Sequence, residues 1–574
     1  MRERGFMTRG IPLLVLGFVL GSCGRAPRSE LVSQNKLKGA RETLNSSTVL
    51  GEDWFNLNPE EDFREGESIN RVYRELERDL EIRVQKLAPI TVAVIDSGVD
   101  ITHEDLKNNL WINKGETGLD AKGHNKATNG IDDDGNGYVD DVHGWNFIGG
   151  YDKDGKAIHI GAETLEKTRI LRKLQKRKDS GEFLNSEEES LFQNFKLEID
   201  KERRQAQNDL AIFQPALQDI DQNYKTIEPL IKKPFDLLTR IDVLNLVSED
   251  SSVTSARDKI ISAFEGLGFP SVAKIKQFIE INQDALNFSL NVEFDPRAII
   301  VKDNPDDFND IQYGNNDVAG IENDHGTHVA GIIAAQRSND IGIKGVASHA
   351  RIMALRAIPN GDERDKDVAL AIRYAADKGA RIINMSFGKE YSPDSSKVLE
   401  AIEYAAQKGV LLIHAAGNES KDLSLDTNHS FPSPVKLNGR EKIQSWIEVG
   451  ASSSNRGPSL PAVFSNYGKT SVDIFAPGVK IESCVSGNKY AVFSGTSMAS
   501  PALAGVAALL WSIKPELTAL EVKDLILKKG RSYEDLLVKK PSQSGPLAQV
   551  LFYELSITGK IADAFESYRE LMKY

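Results

Sequence analysis

Ile90-Thr-Val-Ala-Val-Ile95 is a continuous run rich in apolar and β-branched residues, and Asp96-Ser-Gly98 ends it. Such a run predicts a strand buried on both faces of a parallel sheet. The same pattern recurs in four later segments, at residues 351–358, 381–387, 410–416 and 446–451. We therefore expect these segments to form one mostly parallel sheet, with Asp96 at the carboxyl end of its first strand.

Helical patterns lie between the predicted strands. Residues 365–378 and 397–408 each place apolar side chains on one face and end in Lys-Gly, which is typical of a helix C-terminus. Strands that alternate with helices predict right-handed crossovers and an α/β fold in which helices cover both faces of the sheet. In such folds the active site lies at the carboxyl ends of the strands.

One long segment interrupts this alternation. Residues from about 152 to 295 are rich in Lys, Glu, Gln and Leu and predict several amphipathic helices. We interpret this segment as a helical insertion. Its role stays open between a lid, a docking surface, an inhibitor and a surface hairpin that contributes only to stability.

Composition and charge narrow the possible partners. The chain of 574 residues has 71 Lys and Arg against 84 Asp and Glu, a net charge of −13, with 40% hydrophobic residues. This is typical of a globular protein, and an acidic chain without a basic stripe argues against nucleic-acid binding. The sequence predicts no particular oligomeric state.

Three short motifs follow one another along the chain: Val94-Ile-Asp96-Ser-Gly98, His325-Gly-Thr-His-Val-Ala-Gly331 and Gly495-Thr-Ser497-Met-Ala-Ser-Pro501. Together and in this order they resemble the subtilisin-like serine proteases, the subtilases of peptidase family S8. The resemblance covers residues of about 90–150 and 295–571. It implies a three-layer subtilisin-like fold whose peptidase domain spans residues 87–574 and contains the insertion.

The resemblance assigns a catalytic triad to Asp96, His325 and Ser497. The chemistry agrees, because a serine hydroxyl needs a base within hydrogen-bond reach, and a carboxylate can orient and stabilise that base. His328 lies one helical turn after His325, so a metal-binding pair is the alternative there. No His-Glu-x-x-His arrangement accompanies it, which makes zinc the weaker interpretation.

Further residues resemble the oxyanion and substrate sites of the family. Asn418 follows a predicted strand and corresponds to the amide that would donate to the oxyanion, together with the N–H of Ser497. Residues implied to bind substrate are Ser386, Phe387, Gly388, Ala415, Ala416 and Gly417. The first three would pair with an extended peptide as an added strand, and the small residues would form the wall of the pocket for the side chain at the cleaved bond.

An acidic loop reads Asn129-Gly-Ile-Asp132-Asp-Asp134-Gly-Asn136-Gly-Tyr138-Val-Asp140-Asp141. Oxygen-bearing side chains at alternate positions are typical of calcium loops. The predicted structural Ca²⁺ ligands are Asp132, Asp134, Asn136, the carbonyl of Tyr138, and Asp140 or Asp141. The twelfth position is His143 rather than Glu, so the loop is not an EF-hand, and a solvated acidic turn is the alternative.

The N-terminus predicts export. Arg2, Arg4 and Arg9 precede a short apolar run that ends in Leu20-Gly21-Ser22-Cys23, which resembles a lipoprotein signal. We therefore expect a signal peptide over residues 1–22 and a lipid on Cys23 that anchors the protein to a membrane of the cell envelope, the outer membrane in a Gram-negative host. A plain signal peptide with a chance cysteine is the alternative.

Two further regions receive weaker predictions. Residues 23–86 form an N-terminal extension that could be a tether, a propeptide or an arm packed on the enzyme. Cys484, the other cysteine, predicts a buried free thiol.

The sequence thus predicts a serine endopeptidase of the cell envelope that cleaves protein or peptide substrates through an acyl-enzyme. Two alternatives remain at this point. One is a catalytically silent protein that uses the same cleft for binding. The other is a maturation protease that is restricted to a single client.

Overall fold

The computed structural model describes residues 42–43, 53–78, 87–435, 442–543 and 548–573. The predicted signal peptide and Cys23 lie outside these residues. The described chain contributes to two compact units, one of residues 32–210 and 280–574 and a smaller one that includes residues 211–279.

The larger unit is built on a sheet of nine strands among the described residues, in the order β13-β16-β10-β9-β8-β7-β2-β6-β3. These strands are β2 (Ile90–Asp96), β3 (Gly144–Asn146), β6 (Ala350–Arg356), β7 (Ile382–Met385), β8 (Leu411–Ala415), β9 (Trp446–Ser452), β10 (Ile474–Pro477), β13 (Arg531–Ser532) and β16 (Lys560–Ile561). All neighbouring strands are parallel except β13 and β16. The predicted α/β fold with a mostly parallel sheet is confirmed, and the five predicted strands shift by only one or two residues at their ends.

The remaining strands are short or peripheral. They are β1 (Glu42–Thr43), β4 (Gly149–Tyr151), β5 (Ala157–His159), β11 (Ile481–Val485), β12 (Lys489–Phe493), β14 (Leu537–Lys539) and β15 (Gln549–Leu551). Strands β1, β12 and β11 form a small antiparallel sheet, and β4 with β5 and β14 with β15 form two hairpins.

Helices cover both faces of the main sheet. Outside the predicted insertion they are α1 (Ile69–Arg78), α7 (Arg297–Ile300), α8 (Asp324–Ala334), α9 (Asp365–Asp377), α10 (Ser395–Gln407), α11 (Thr496–Ile513), α12 (Ala519–Lys529) and α13 (Ala564–Leu571). One buried cluster joins α8, α11 and α13 to the sheet, and a second joins α9 and α10 to the opposite face. This is the three-layer arrangement expected of the fold.

Helix α11 is the apolar centre of the larger unit. Among the described residues it is the one helix with the length and composition of a membrane span, yet 89% of the helix is buried inside the protein. Its side chains contact β7, β8, β9 and β10 within one apolar cluster. The helix is therefore a core element, and its first turn lies at the carboxyl edge of the sheet.

The predicted insertion interval contains five helices: α2 (Glu166–Asp179), α3 (Ser186–Ile231), α4 (Arg240–Leu244), α5 (Ser251–Leu267) and α6 (Val272–Asp284). Within the smaller unit, the rings of Phe213, Phe269 and Phe278 lie 4.5–5.5 Å apart. This aromatic cluster gives that unit a small core of its own.

Residues 53–78 pack as part of the larger unit. Trp54, Phe55, Val72 and Leu76 are buried in the same cluster as α8 and α11. This part of the N-terminal extension is therefore an arm packed on the domain.

Candidate active site

His325 and Asp96 form a hydrogen-bonded pair at the carboxyl edge of the sheet. Asp96 is the last residue of β2 and His325 the second residue of α8, and the imidazole Nδ1 lies 2.7 Å from Asp96 Oδ1. The backbone N–H of Ser97 donates to the same oxygen at 2.7 Å. Because the carboxylate accepts at Nδ1, the ring carries its proton there and leaves Nε2 available as a base.

Close packing of α8 against β2 makes this pair possible. A Cβ atom on Gly326 would lie 2.1 Å from the carbonyl oxygen of Gly98 and 3.1 Å from the Cβ of Asp96. Any larger residue would push the helix away from the strand. The glycine after His325 therefore sets the distance between imidazole and carboxylate.

Ser497 lies in the first turn of α11 and contacts Ser386. Its hydroxyl donates to the carbonyl oxygen of Ser386 at 3.1 Å, and the hydroxyl of Ser386 donates back to the carbonyl oxygen of Ser497 at 3.0 Å. Among the described residues, no hydrogen bond joins Ser497 to His325. The structure thus joins Asp96 to His325, and Ser497 to the predicted substrate segment, as two separate pairs.

Asn418 is oriented by Thr496, a residue that the sequence analysis did not single out. The backbone N–H and the hydroxyl of Thr496 donate to Asn418 Oδ1 at 2.9 and 3.1 Å. Fixing the amide oxygen in this way presents the Nδ2 donor on the other side. A Cβ atom built on Gly495 would lie 3.6 Å from both Asn418 Nδ2 and the backbone nitrogen of Ser497. The two donors predicted for the oxyanion therefore lie beside the same small space.

The predicted substrate residues lie at the ends of two neighbouring strands. Ser386, Phe387 and Gly388 follow β7, and Ala415, Ala416 and Gly417 close β8. The N–H of Gly417 is held by the hydroxyl of Thr496 at 3.1 Å. Phe387 as a whole residue is 4% exposed and belongs to a buried apolar cluster, so its ring is not available to a peptide.

The acidic loop gathers fewer of its carboxylates than the sequence predicts. Asp134 and Asp141 lie with Glu116 in a group whose carboxylate oxygens are within 4.8 Å of one another. Asp132 instead accepts backbone N–H groups of its own loop, and Asp140 accepts from Gly130. Both lie outside the group.

The side chain of Asn136 is held by two hydrogen bonds within the loop, one of them from the N–H of Tyr138. Asn136 Oδ1 accepts the N–H of Tyr138 at 2.7 Å, while its Nδ2 donates to Asp141 at 3.0 Å. Glu116 is the residue that the sequence analysis missed, because its 16-residue distance from Asp132 carries no periodic signal. Asn113, which donates to both Asp134 and Asp141, was missed for the same reason.

The electrostatics of this group depend on burial and on one lysine. Burial raises the pKa of Glu116, although backbone N–H groups of Asp134 and Asp133 oppose the shift. Burial also raises the pKa of Asp141. At Asp134 burial is outweighed by hydrogen bonds from Lys378 and Asn113, which lower its pKa.

The remaining candidates are structural. His328 is fully buried, stacks on Phe493 and places Nε2 near two backbone carbonyls, those of Ile481 and Ala491. Burial lowers its pKa to about 3, and no group of three or more metal-ligating side chains in the described chain includes it. Cys484 is a buried free thiol, as predicted, and burial raises its pKa.

Comparison with known proteins identifies the family. A family model described as the subtilase family matches residues 88–540, and the chain belongs to that family. It is 43% identical over 207 residues to the thermophilic serine proteinase of Bacillus sp. (strain AK1), covering 36% of this chain and 46% of that protein. It is 40% identical over 216 residues to the cell wall-associated protease of Bacillus subtilis (strain 168), covering 38% of this chain and 22% of that protein.

A shorter relative is covered more completely. Subtilisin BL of Lederbergia lenta is 35% identical over 204 residues, which are 35% of this chain and 68% of that protein. The chain spans less than half the length of the first two relatives. The fold is subtilisin-like, as the sequence predicts.

Proposed function

We propose that this protein is a serine endopeptidase that hydrolyses internal peptide bonds of protein substrates through an acyl-enzyme. The observation that carries the proposal is the contact of 2.7 Å between His325 Nδ1 and the buried carboxylate of Asp96. This contact fixes the tautomer in which Nε2 can accept a proton. The relative named as a serine proteinase supports the same reaction.

Ser497 is the proposed nucleophile. Its hydroxyl leaves the carbonyl of Ser386 and transfers its proton to Nε2 of His325 as the oxygen attacks the substrate carbonyl. Hydrogen bonds of catalytic groups often form fully only once substrate is bound, so the separate pairs in the free protein are compatible with this step. Asp96 stabilises the imidazolium that results.

The tetrahedral intermediate carries its negative charge on the former carbonyl oxygen. Asn418 Nδ2 and the N–H of Ser497 donate to that oxygen, in the space beside Gly495. The intermediate then collapses: His325 returns the proton to the leaving amine, and the acyl group stays on Ser497. A water molecule, deprotonated by His325, hydrolyses this ester and regenerates the hydroxyl.

The substrate is proposed to bind as an extended strand along Ser386–Gly388. Backbone hydrogen bonds give such a complex its affinity, and the small residues Ala415, Ala416 and Gly417 leave room for a large side chain at the cleaved bond. The proposal predicts cleavage of many sequences within unfolded proteins.

Labelling with a fluorophosphonate probe tests this function. We expect the purified protein to react, and Ser497→Ala to abolish the reaction. A folded protein that never labels would support the silent binding protein instead. Digestion of a peptide library separates the third candidate, since cleavage of many sequences excludes a protease with a single client.

We also propose a structural Ca²⁺ at Glu116, Asp134 and Asp141. The fit rests on Glu116, which is fully buried and whose Oε2 has no hydrogen-bond partner among the described residues. A buried carboxylate oxygen without a partner is costly, and oxygen ligands of this kind suit a hard divalent cation. The ion would hold the acidic loop together, and it takes no part in the reaction.

Lipid attachment at Cys23 and residence in the cell envelope complete the proposal. The support is the lipoprotein-like signal that ends at this cysteine. Expression of the full chain and of Cys23→Ser, with a labelled fatty acid in the medium, tests it. We expect label and detergent partitioning only in the parent chain.

A further inference from the structure

A second imidazole and carboxylate pair lies beside the substrate segment, and the reaction does not use it. His414 on β8 is fully buried, with Nδ1 at 2.9 Å from Glu448 Oε1 and Nε2 at 2.8 Å from the carbonyl oxygen of Phe387. The other oxygen of Glu448 accepts from Nε1 of Trp446 at 2.9 Å. These four groups form a continuous chain of hydrogen bonds beneath the cleft.

The acceptor at one end fixes where a proton must lie. A backbone carbonyl can only accept, so Nε2 of His414 carries a hydrogen. Indole N–H can only donate, so Glu448 Oε2 accepts from Trp446. The ring is therefore oriented by Glu448, with its Nε2–H directed at Phe387.

Along residues 386–389, the backbone N–H and C=O groups point alternately to the two sides of the segment. In an extended segment, consecutive residues direct their N–H and C=O groups to opposite sides. The carbonyl of Phe387 faces His414, while both backbone groups of Lys389 bond to Phe431 at 3.0 and 2.9 Å. The carbonyl of Ser386 faces Ser497. One edge is thus occupied by the protein, and Ser386 and Gly388 face the cleft.

His414 acts on the second of these two cleft-facing residues. The carbonyl of Phe387 and the N–H of Gly388 belong to one planar trans peptide unit and point in opposite directions. Holding the carbonyl at His414 therefore aims the N–H of Gly388 into the cleft. In a paired strand, the residue facing Gly388 is two positions from the residue facing Ser386.

We propose that His414, oriented by Glu448 and Trp446, is a positioning residue that directs the N–H of Gly388 towards the third substrate residue on the amino-terminal side of the cleaved bond. The inference rests on the proposed peptidase function. It assigns a substrate-length preference to a buried group that never touches the substrate.

Two substitutions at one position separate the two contacts of the ring. His414→Asn places an amide near Nδ1, so it keeps a partner for Glu448 but does not reach Phe387. His414→Gln extends to the place of Nε2 and keeps a donor for the Phe387 carbonyl. The substrates are two acylated anilides that end in phenylalanine, one with four residues and one with that residue alone.

We expect His414→Asn to lower kcat/KM for the four-residue anilide by about three- to tenfold, the loss of roughly one net hydrogen bond. The single-residue anilide cannot reach Gly388, and its kcat/KM should change by less than about twofold. His414→Gln should restore the preference for the long substrate. Equal losses on both substrates, or no loss on either, would overturn the proposal, because a general packing defect does not distinguish substrate length.

If His414→Asn does not fold, Trp446→Phe replaces it. This change removes the N–H that holds Glu448 and keeps an aromatic ring, and we expect a selective loss of about twofold on the long substrate. An equal loss on both substrates again overturns the proposal. If the parent protein cleaves neither anilide and does not label with fluorophosphonate, the peptidase function itself has failed, and this outcome is separate.

Discussion

Two buried carboxylates at the same edge of the sheet each hold an imidazole, and the two pairs behave differently. Asp96 holds His325 at 2.7 Å, and Glu448 holds His414 at 2.9 Å. The side chain of His325 is 26% exposed, whereas that of His414 is fully buried. In the first pair no hydrogen bond from the described residues occupies Nε2, and in the second Nε2 faces the carbonyl of Phe387.

The difference shows that an imidazole–carboxylate pair does not by itself define a catalytic site. A general base must accept a proton and later release it, so its Nε2 needs access to a reacting group. A ring whose two nitrogens both face fixed partners, such as that of His414, leaves neither nitrogen for a reacting group and can only position its partners. Two further buried carboxylates, those of Glu116 and Glu67, extend this comparison because neither of them holds an imidazole within the described chain.

The largest expected effect comes from changing each carboxylate to its amide. Asp96→Asn removes the charge that stabilises the imidazolium, and we expect kcat/KM to fall by about 10⁴-fold. Glu448→Gln is the matched control. In this variant the indole N–H of Trp446 still donates to the amide oxygen of the new glutamine. The amide nitrogen then donates to Nδ1 of His414, and Nε2 of His414 keeps its hydrogen.

We therefore expect Glu448→Gln to stay within about threefold of the parent protein, because a neutral hydrogen bond replaces a charge-assisted one. Steady-state kinetics with one peptide substrate measures both variants. Similar losses in the two variants would contradict the distinction between the Asp96–His325 pair, which we expect to act in catalysis, and the Glu448–His414 pair, which we do not.

A substitution of Asn418 tests whether the Asp96–His325 pair is sufficient for full activity. Asn418→Leu removes a donor to the oxyanion and leaves His325 and Asp96 in place. We expect kcat to fall by about 10²- to 10³-fold with little change in KM, since the interaction strengthens only in the transition state. A rise in KM at constant kcat would instead place Asn418 in ground-state binding.

Glu116 is a carboxylate with neither an imidazole nor a lysine on its free oxygen. We expect 1 mM Ca²⁺ to raise Tm by about 5 °C over a chelator. Glu116→Gln should remove most of this shift. Asp154→Asn, a change at an exposed residue of a neighbouring loop, should keep it. A shift of the same size in all three proteins would locate the ion elsewhere.

The smallest expected effect is on stability and comes from Glu67, a carboxylate without a hydrogen-bond partner on either oxygen in the described part of the chain. It is fully buried, and neither carboxylate oxygen has a hydrogen-bond partner among the described residues. Burial raises its pKa well above the usual value, although Arg531 opposes the shift. The folded state therefore binds this proton more tightly than the unfolded state, and stability falls as pH rises above the unfolded pKa.

We expect the free energy of unfolding of the parent protein to fall by up to about 1 kcal/mol per pH unit above pH 5 from this residue alone. Glu67→Gln cannot ionise and should show a flatter dependence. Denaturant unfolding at pH 5, 6 and 7 measures the slopes. Parallel slopes in the two proteins would mean that Glu67 is ionised in the folded state.

Sequence reasoning predicted the elements that have local signals. The apolar runs located five strands of the sheet, and the motifs around Asp96, His325 and Asn418 located groups that the structure places at the carboxyl edge. It missed Glu116, Thr496 and His414. Each acts through a partner that is distant along the chain, so no spacing or periodicity marks it.

The acidic loop shows the limit of pattern reasoning. Alternating oxygen-bearing residues predicted a ring of ligands, but Asp132 satisfies its carboxylate with N–H groups of its own turn. Local hydrogen bonds of Asp and Asn side chains compete with ligand binding. Which carboxylates remain for a cation is decided by what packs beside the loop, including Glu116 and Lys378.

The sequence alone predicted five strands of the sheet, the family and the candidate reactive side chains, because these depend on residue type and short spacing. The tertiary structure decided which groups meet. Only the folded structure brings Asp96 and His325, 229 positions apart, into contact. Only the folded structure places the carbonyl of Phe387 against Nε2 of His414. The physical reason is that proton affinity and access depend on burial and on the partner at each nitrogen, and folding sets both.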